Sequence, residues 1–429
     1  MPPYGRETWK KNSTRVFNLG WAVTIAILLL VPLYCATPVL AASGGSNSAS
    51  SLTVSPDVAH KTLTSPNAQE RGCFGDAVAM NGTTAVVGAM GETVNGLGDA
   101  GRVYIFNART GTLLHTLSSP NAQGGGYFGD SVAVSGTLVV VGAFSEAADG
   151  VDGAGHVYTF DARTGALLQT FTSPNAESGG GFGYQVAISG NILIAGAYDE
   201  TVNGNQYSGR VYIFNASTGA LSHTLTSPGP GGFFGNSVAI GGSTLVVGAP
   251  GESVKGMYGA GHAYTFNAIT GDLIKTLTSP NKIQSGRFGD SVAISRNTVV
   301  VGAPDETVGD QWGAGRAYTF NGVTGARLRT FTSSYPTEFV EFGISVAIGR
   351  GTVFVTEATG GAVNSGAVYT FTSRTGALVR VLSSPNAVDY GGFGSALSMS
   401  GRSIIVGASA ETVRGVIELA GHAYIFYSR

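Results

Sequence analysis

The chain has 429 residues, of which only 12% are charged, and a formal net charge of −2. That balance gives no basic footprint for nucleic acid. Glycine is unusually common at 66 residues, yet aromatic residues make up 10% and hydrophobic residues 43%, which excludes an intrinsically disordered polymer.

The first 42 residues stand apart. Arg6, Lys10, Lys11 and Arg15 precede an apolar run over 21–42, the pattern of an export signal, with an uncleaved membrane anchor as the alternative. Pro32 and Pro38 interrupt the run, and Val39-Leu40-Ala41 suits a cleavage site. Either way the remainder is expected outside the cytoplasm, secreted or at the cell surface, with membrane contact only through this segment. Residues 43–55 are rich in Ser and Gly without apolar periodicity and read as a flexible linker. Only Cys73 lies beyond them, so no disulfide can form within the rest of the chain.

From 56 to 429 one paragraph of sequence is written seven times. Phe-Gly recurs at Phe74, Phe128, Phe182, Phe234, Phe288, Phe342 and Phe393, at intervals of 54, 54, 52, 54, 54 and 51 residues. The second copy shows its content. Alternation around Val132 and Val134, the run 137–144, the β-branched and aromatic 155–162 and the alternating 166–173 read as four strands. Short Gly-containing turns join the first pair and the last pair, and a longer polar loop joins the second strand to the third. Four antiparallel strands repeated seven times with no helical segment predict an all-β, seven-bladed β-propeller of four-stranded blades. The last copy stops after its third strand, and 58–65 resembles the fourth strands. The amino-terminal strand is therefore expected to complete the final blade and close the ring.

The pairs Phe234-Gly235 with Gly248-Ala249-Pro250 and Phe288-Gly289 with Gly302-Ala303-Pro304 resemble FG-GAP repeats, the family that includes integrin α propellers. The resemblance implies a seven-bladed propeller and extracellular work, often adhesion or ligand binding, and does not imply an enzyme. Calcium-binding FG-GAP blades carry a D-x-D-x-D-G-x-x-D run between their first two strands. Here Asn81-Gly82, Ser135-Gly136, Ser189-Gly190, Gly241-Gly242, Ser295-Arg296, Gly349-Arg350-Gly351 and Ser400-Gly401 stand there, without the length or the carboxylates of such a loop. No metal and no cofactor are expected. The turn Asn107 to Gly111 also resembles that of quinoprotein propellers, but the docking tryptophan is missing, and a bulged hairpin explains the glycine.

The most regular polar pattern lies in the loop between second and third strands. Glu92, Glu146, Glu200, Glu252, Glu306 and Glu411 come four residues after the glycine of Gly-Ala, and Arg102, His156, Arg210, His262, Arg316 and His422 follow fourteen or fifteen after it. The sixth copy has Gly360 and Ala367 in those places and a shortened loop. Two readings stand: a polar ring that binds a sugar, peptide or cation, or a latch that shapes each loop. As an exposed pair the latch contributes only about 0–1 kcal/mol, so Glu252→Gln is expected to cost little.

No catalytic residues are assigned. The six histidines lack metal-ligand spacing, no Gly-x-Ser-x-Gly elbow precedes a helix, and Asp76, Asp130 and Asp290 after Phe-Gly are replaced elsewhere by Tyr184, Asn236, Ile344 and Ser395. Function in a ring is expected where symmetry breaks. Tyr207, Met257, Tyr258 and Trp312 in the long loops of the third to fifth copies are the candidate ligand-binding residues, with loop packing as the other reading. The chain is expected to be a non-enzymatic binding or adhesion module for an extracellular protein or glycan. A loop-built carbohydrate-active enzyme and a cell-surface scaffold are the alternatives.

Overall fold

The computed structural model describes residues 60–229, 231–413 and 417–427, the side chain of residue 362 apart. The leading segment 1–42 and the linker 43–55 lie outside these residues. The rest is a ring of seven four-stranded antiparallel sheets, each with its strands in sequence order.

Blade 1 is typical. Its strands Phe74–Asn81, Thr84–Ala89, Arg102–Asn107 and Leu113–Ser118 pair in turn. Asn81 lies opposite Thr84, so the first turn contains only two residues, and Gly82 enters it at φ +59. Such a turn needs a positive φ at its first position to match strand twist. In blade 5 Arg296 takes that conformation without being glycine, at φ 54. The third-to-fourth connection carries a register shift between Ile105 and Phe106, the bulged hairpin expected from the glycine at its end.

Closure of the ring is direct. Blade 7 contains Phe393–Ser400, Ser403–Ala408 and His422–Tyr427, and its outer strand is His60–Leu63. His60 lies opposite Phe426 and Leu63 opposite Ala423. The first strands of successive blades contact one another all round, which places them innermost.

The core lies between blades rather than within them. Each second and third strand is buried on both faces, so Val86, Val103 and Ile105 pack towards blade 2 while Ala85, Val87 and Tyr104 pack towards blade 7. Seven such clusters fill the seven blade interfaces. Each Phe of Phe-Gly is fully buried and meets the Tyr and Phe of its own third strand; Phe74 sits 5.7 Å from Tyr104 and 6.0 Å from Phe106, the latter edge-on.

The glycines of the signature have a shared reason. A Cβ on Gly88 would stand 2.0 Å from the carbonyl oxygen of Gly129, and one on Gly142 would stand 1.9 Å from that of Gly183. The glycine of Gly-Ala in one blade thus lies against the glycine of Phe-Gly in the next. At the seam Gly407 approaches the oxygen of Gly75 in the same way.

Candidate functional site

The six loop glutamates are buried. Glu92, Glu146 and Glu411 have no exposed surface, and Glu200, Glu252 and Glu306 expose at most 3%. The expectation of an exposed pair is corrected here, because the loop folds back over its own acid. A buried carboxylate must collect donors, and three converge on each except Glu146, which accepts from Tyr158 alone. Glu252 accepts from Tyr264 Oη at 2.5 Å, from Ser227 Oγ, and faces His262 Nδ1 at 2.6 Å. Glu92 accepts from Tyr104 Oη at 2.5 Å, from Ser65 Oγ and from Asn67 Nδ2 at 3.2 Å, with Arg102 3.6 Å away. Glu200 pairs with Arg210 at 3.1 Å and Glu306 with Arg316 at 3.5 Å. Glu146 faces His156 at 3.1 Å and Glu411 faces His422 at 3.0 Å.

The serine comes from a different blade. Ser119 follows the fourth strand of blade 1 and bonds Tyr158 of blade 2; Ser384 leaves blade 6 and reaches Glu411 of blade 7. Ser65, following the amino-terminal strand of blade 7, donates to Glu92 of blade 1. The acid therefore fastens the incoming connection to its blade in every blade but the second, where Tyr158 takes the serine instead. Neither the serine nor the tyrosine was singled out in the sequence, although both recur with every copy.

Blade 6 keeps the acid and loses only the base. Glu357, at the end of Thr352–Glu357, accepts from Ser333 Oγ at 2.9 Å and bonds Tyr369. The shortened loop cannot carry a glutamate, so the last residue of the strand reaches the same donors. The apparent joint loss of acid and base is thus a loss of the base alone.

Tyr207, Met257, Tyr258 and Trp312 lie in the second-to-third-strand loops of three consecutive blades, and all four are exposed, Trp312 most at 65%. Among the described residues no ring contact joins Tyr207, Tyr258 and Trp312 to one another. Tyr207 instead meets Phe233, 5.9 Å away. From there rings run inward: Phe233 to Tyr198 at 6.2 Å, Tyr198 to Tyr184 at 4.1 Å, Tyr184 to Phe144 at 5.4 Å and Phe144 stacked on Tyr127 at 5.6 Å. This arc spans blades 2 to 4 at the innermost end of the same loops. Its sequence signal was the aromatic residue preceding Phe-Gly at Tyr127 and Phe233, where other copies have Cys73, Gly181 or Arg287.

Carboxylates share this inner end. Burial raises Asp76 to about 6 against a bond from Ser409, and raises Asp199 to about 7 against a bond from Tyr198. Asp130 is raised well above the usual range by burial and then by the charge of Asp76. On the far side Arg287 pairs with Asp290 at 2.8 Å and with Asp305 at 3.2 Å. Among the described residues no group of three or more His, Cys, Asp and Glu side chains is placed to hold a metal.

Two measurements follow from these environments. Glu252→Gln removes an acceptor from buried hydroxyls and should lower unfolding stability by about 1–3 kcal/mol. Glu252→Ala should cost about 3–5 kcal/mol, both read from denaturant midpoints. Asp76 and Asp199 hold their proton more tightly folded than unfolded, so their contribution is largest at low pH and is lost as pH rises through about 6 and about 7. Asp76→Asn and Asp199→Asn should each melt above the parent at pH 8, with the gain gone at pH 4.

No curated protein matches the chain. The crystal structure of RRP9 WD40 repeats is 14% identical, with 86% of this chain and 97% of that chain covered and a TM-score of 0.59, a likeness of fold alone. The computationally designed Ika8 protein is 16% identical, with 85% and 99% covered and a TM-score of 0.49. The model described as FG-GAP repeat matches residues 59–106, 113–160, 167–214, 229–266 and 273–320. Those segments make up more than half of a chain whose blades are built on the Phe-Gly and Gly-Ala contact, and the protein belongs to the FG-GAP repeat family.

Proposed function

We propose that this protein is an exported, non-enzymatic binding or adhesion module that presents the long loops of one propeller face to an extracellular protein or glycan. One observation carries the reading. Tyr207, Met257, Tyr258 and Trp312 expose large apolar side chains from consecutive loops, while the buried glutamates beneath them are committed to holding those loops. Costly apolar exposure on a rigid, asymmetric part of an otherwise repeated face is what a recognition surface requires. The apolar run over 21–42 supports export.

A second reading, a loop-built carbohydrate-active site, is favoured by the arc at the inner end, where Asp199 is raised to about 7 beside Tyr198. Perturbed acids gather at catalytic sites.

A glycan array and a cell-surface pull-down with the full chain separate the two. Binding without turnover is expected, and Trp312→Ala should weaken it at least about tenfold while leaving the melting temperature within about 2 °C. Release of reducing ends from a polysaccharide that disappears in Asp199→Asn would replace the binding reading with the enzymatic one.

A further inference from the structure

The long loops do more than cover their glutamates. In six blades the last residues of the loop lie alongside the connection to the next blade and accept its main-chain N–H groups. Gly98 and Asp99 accept from Gly125 and Tyr127; Asp152 and Gly153 accept from Gly179 and Gly181. Tyr258 and Gly259 accept from Ser285 and Arg287, Trp312 and Gly313 from Phe339 and Glu341, and Glu418 and Leu419 from Arg71 and Cys73. Blade 3 varies the scheme: Tyr207 accepts from Phe233, and Ser208 Oγ accepts from Gly231.

Blade 6 breaks it. Its shortened loop keeps only the last bond of the series, from Phe393 to Ser365, equivalent to that from Phe128 to Ala100. The N–H groups of Tyr390 and Gly392, at the positions of Gly125 and Tyr127, have no acceptor among the described residues. The connection has nevertheless kept its shape. Tyr390 and Gly392 hold φ 54 and 69, the left-handed pair that Gly125 and Tyr127 hold at 70 and 51, and Gly391 donates to Val388 as Gly126 donates to Gln123. A tyrosine held at positive φ with no partner for its amide is strain retained without a visible intramolecular return.

The blade 6 loop and the two connections that flank it are apolar and acidic at the surface. Phe339, tied to the blade 6 loop through Thr359 Oγ1, is 65% exposed, and Val363 and Tyr390 are also exposed. Glu338 and Asp389 are exposed beside them, and the segments 333–342, 356–367 and 384–395 contain no Lys, Arg or His.

We infer that this gap in blade 6 is a seat for a short peptide of another protein, whose successive carbonyls accept from Tyr390 and Gly392 as the loop arm does in the other blades. The five complete arms describe the occupant. The second accepting residue holds positive φ in all five, as Asp99, Gly153, Gly259, Gly313 and Leu419, and in blades 4 and 5, the two that precede the gap, it is glycine preceded by Tyr258 and Trp312. By likeness to those two arms the peptide carries an aromatic residue followed by glycine, which takes that φ without strain, with a basic residue nearby to meet Asp389. Main-chain bonds supply affinity and the flanking pockets supply selectivity. The inference rests on the reading of this face as a ligand-presenting surface and adds the class of ligand and its place.

The test uses the chain's own chemistry as probe. A synthetic peptide of residues 253–261, Ser-Val-Lys-Gly-Met-Tyr-Gly-Ala-Gly, reproduces the blade 4 arm and contains lysine and Tyr-Gly. Added to the full chain, it should slow amide exchange at Tyr390 and Gly392 at least about tenfold, with Gly125 and Tyr127 unchanged. Tyr390→Ala and Phe339→Ala should each weaken binding roughly tenfold, and a chain whose blade 6 loop is replaced by that of blade 5 should not bind. Binding that leaves both amides unprotected, or that persists in the loop-replaced chain, overturns the inference. So does failure of this peptide, and of an array of nine-residue peptides bearing Lys and aromatic-Gly, to bind below about 1 mM. Loss of glycan or surface binding in Trp312→Ala is read separately, so either reading can fall without the other.

Discussion

Two sheets packed face to face cannot bring main chain against main chain where a Cβ stands between them, and the ring is built on that exclusion. The glycine of Gly-Ala in one blade faces the carbonyl of Phe-Gly glycine in the next, with no room for a Cβ between them. Blades meet at this point so closely that the small and β-branched residues around it fill the interface completely. Blade 6 places Thr356 where the glycine should be, and a Cβ on Gly394 would strike its side chain. The one blade with a foreign residue at the contact is also the one with the shortened loop.

Above that contact sits a second layer of cohesion made of polar groups. The carboxylate in each blade takes a hydroxyl from its own tyrosine and, in six blades, a hydroxyl from the serine of the preceding connection. Desolvating a charge is expensive, and the expense is offset only when every lone pair is used. Where the base is arginine it reaches the same acid from the half-exposed side; where it is histidine the ring lies over the tyrosine, as His156 stacks on Tyr158 at 5.5 Å. The layer therefore tolerates a changed base and a displaced acid but keeps the acid, tyrosine and serine.

Much of this was legible in the chain. Periodicity of Phe-Gly, alternation within each copy and the truncated last copy gave the blade count, the strand order and the closure by 60–63. What stayed hidden depends on contacts across blades. Ser65 and Glu92 are 27 positions apart and belong to different sheets, so no local spacing announces their bond. Glu357 escaped because a frame anchored on Gly-Ala assigns the acid to the loop, whereas three dimensions require only that some carboxylate reach Ser333 and Tyr369. The arc from Tyr127 to Phe233 is assembled from copies about 54 residues apart, and a ring converts that distance into adjacency.

The outer strand of blade 7 is the first strand among the described residues, and its partner is the last. During synthesis His60–Leu63 emerges with nothing to pair with until His422–Tyr427 has also been made. Until then Ser65 has no anchored strand to hold it over Glu92, and blades 1 and 7 each present an open flank. The seam is thus the one blade whose assembly waits on both ends of the propeller, and a ring lacking His422–Tyr427 leaves His60–Leu63 without its partner.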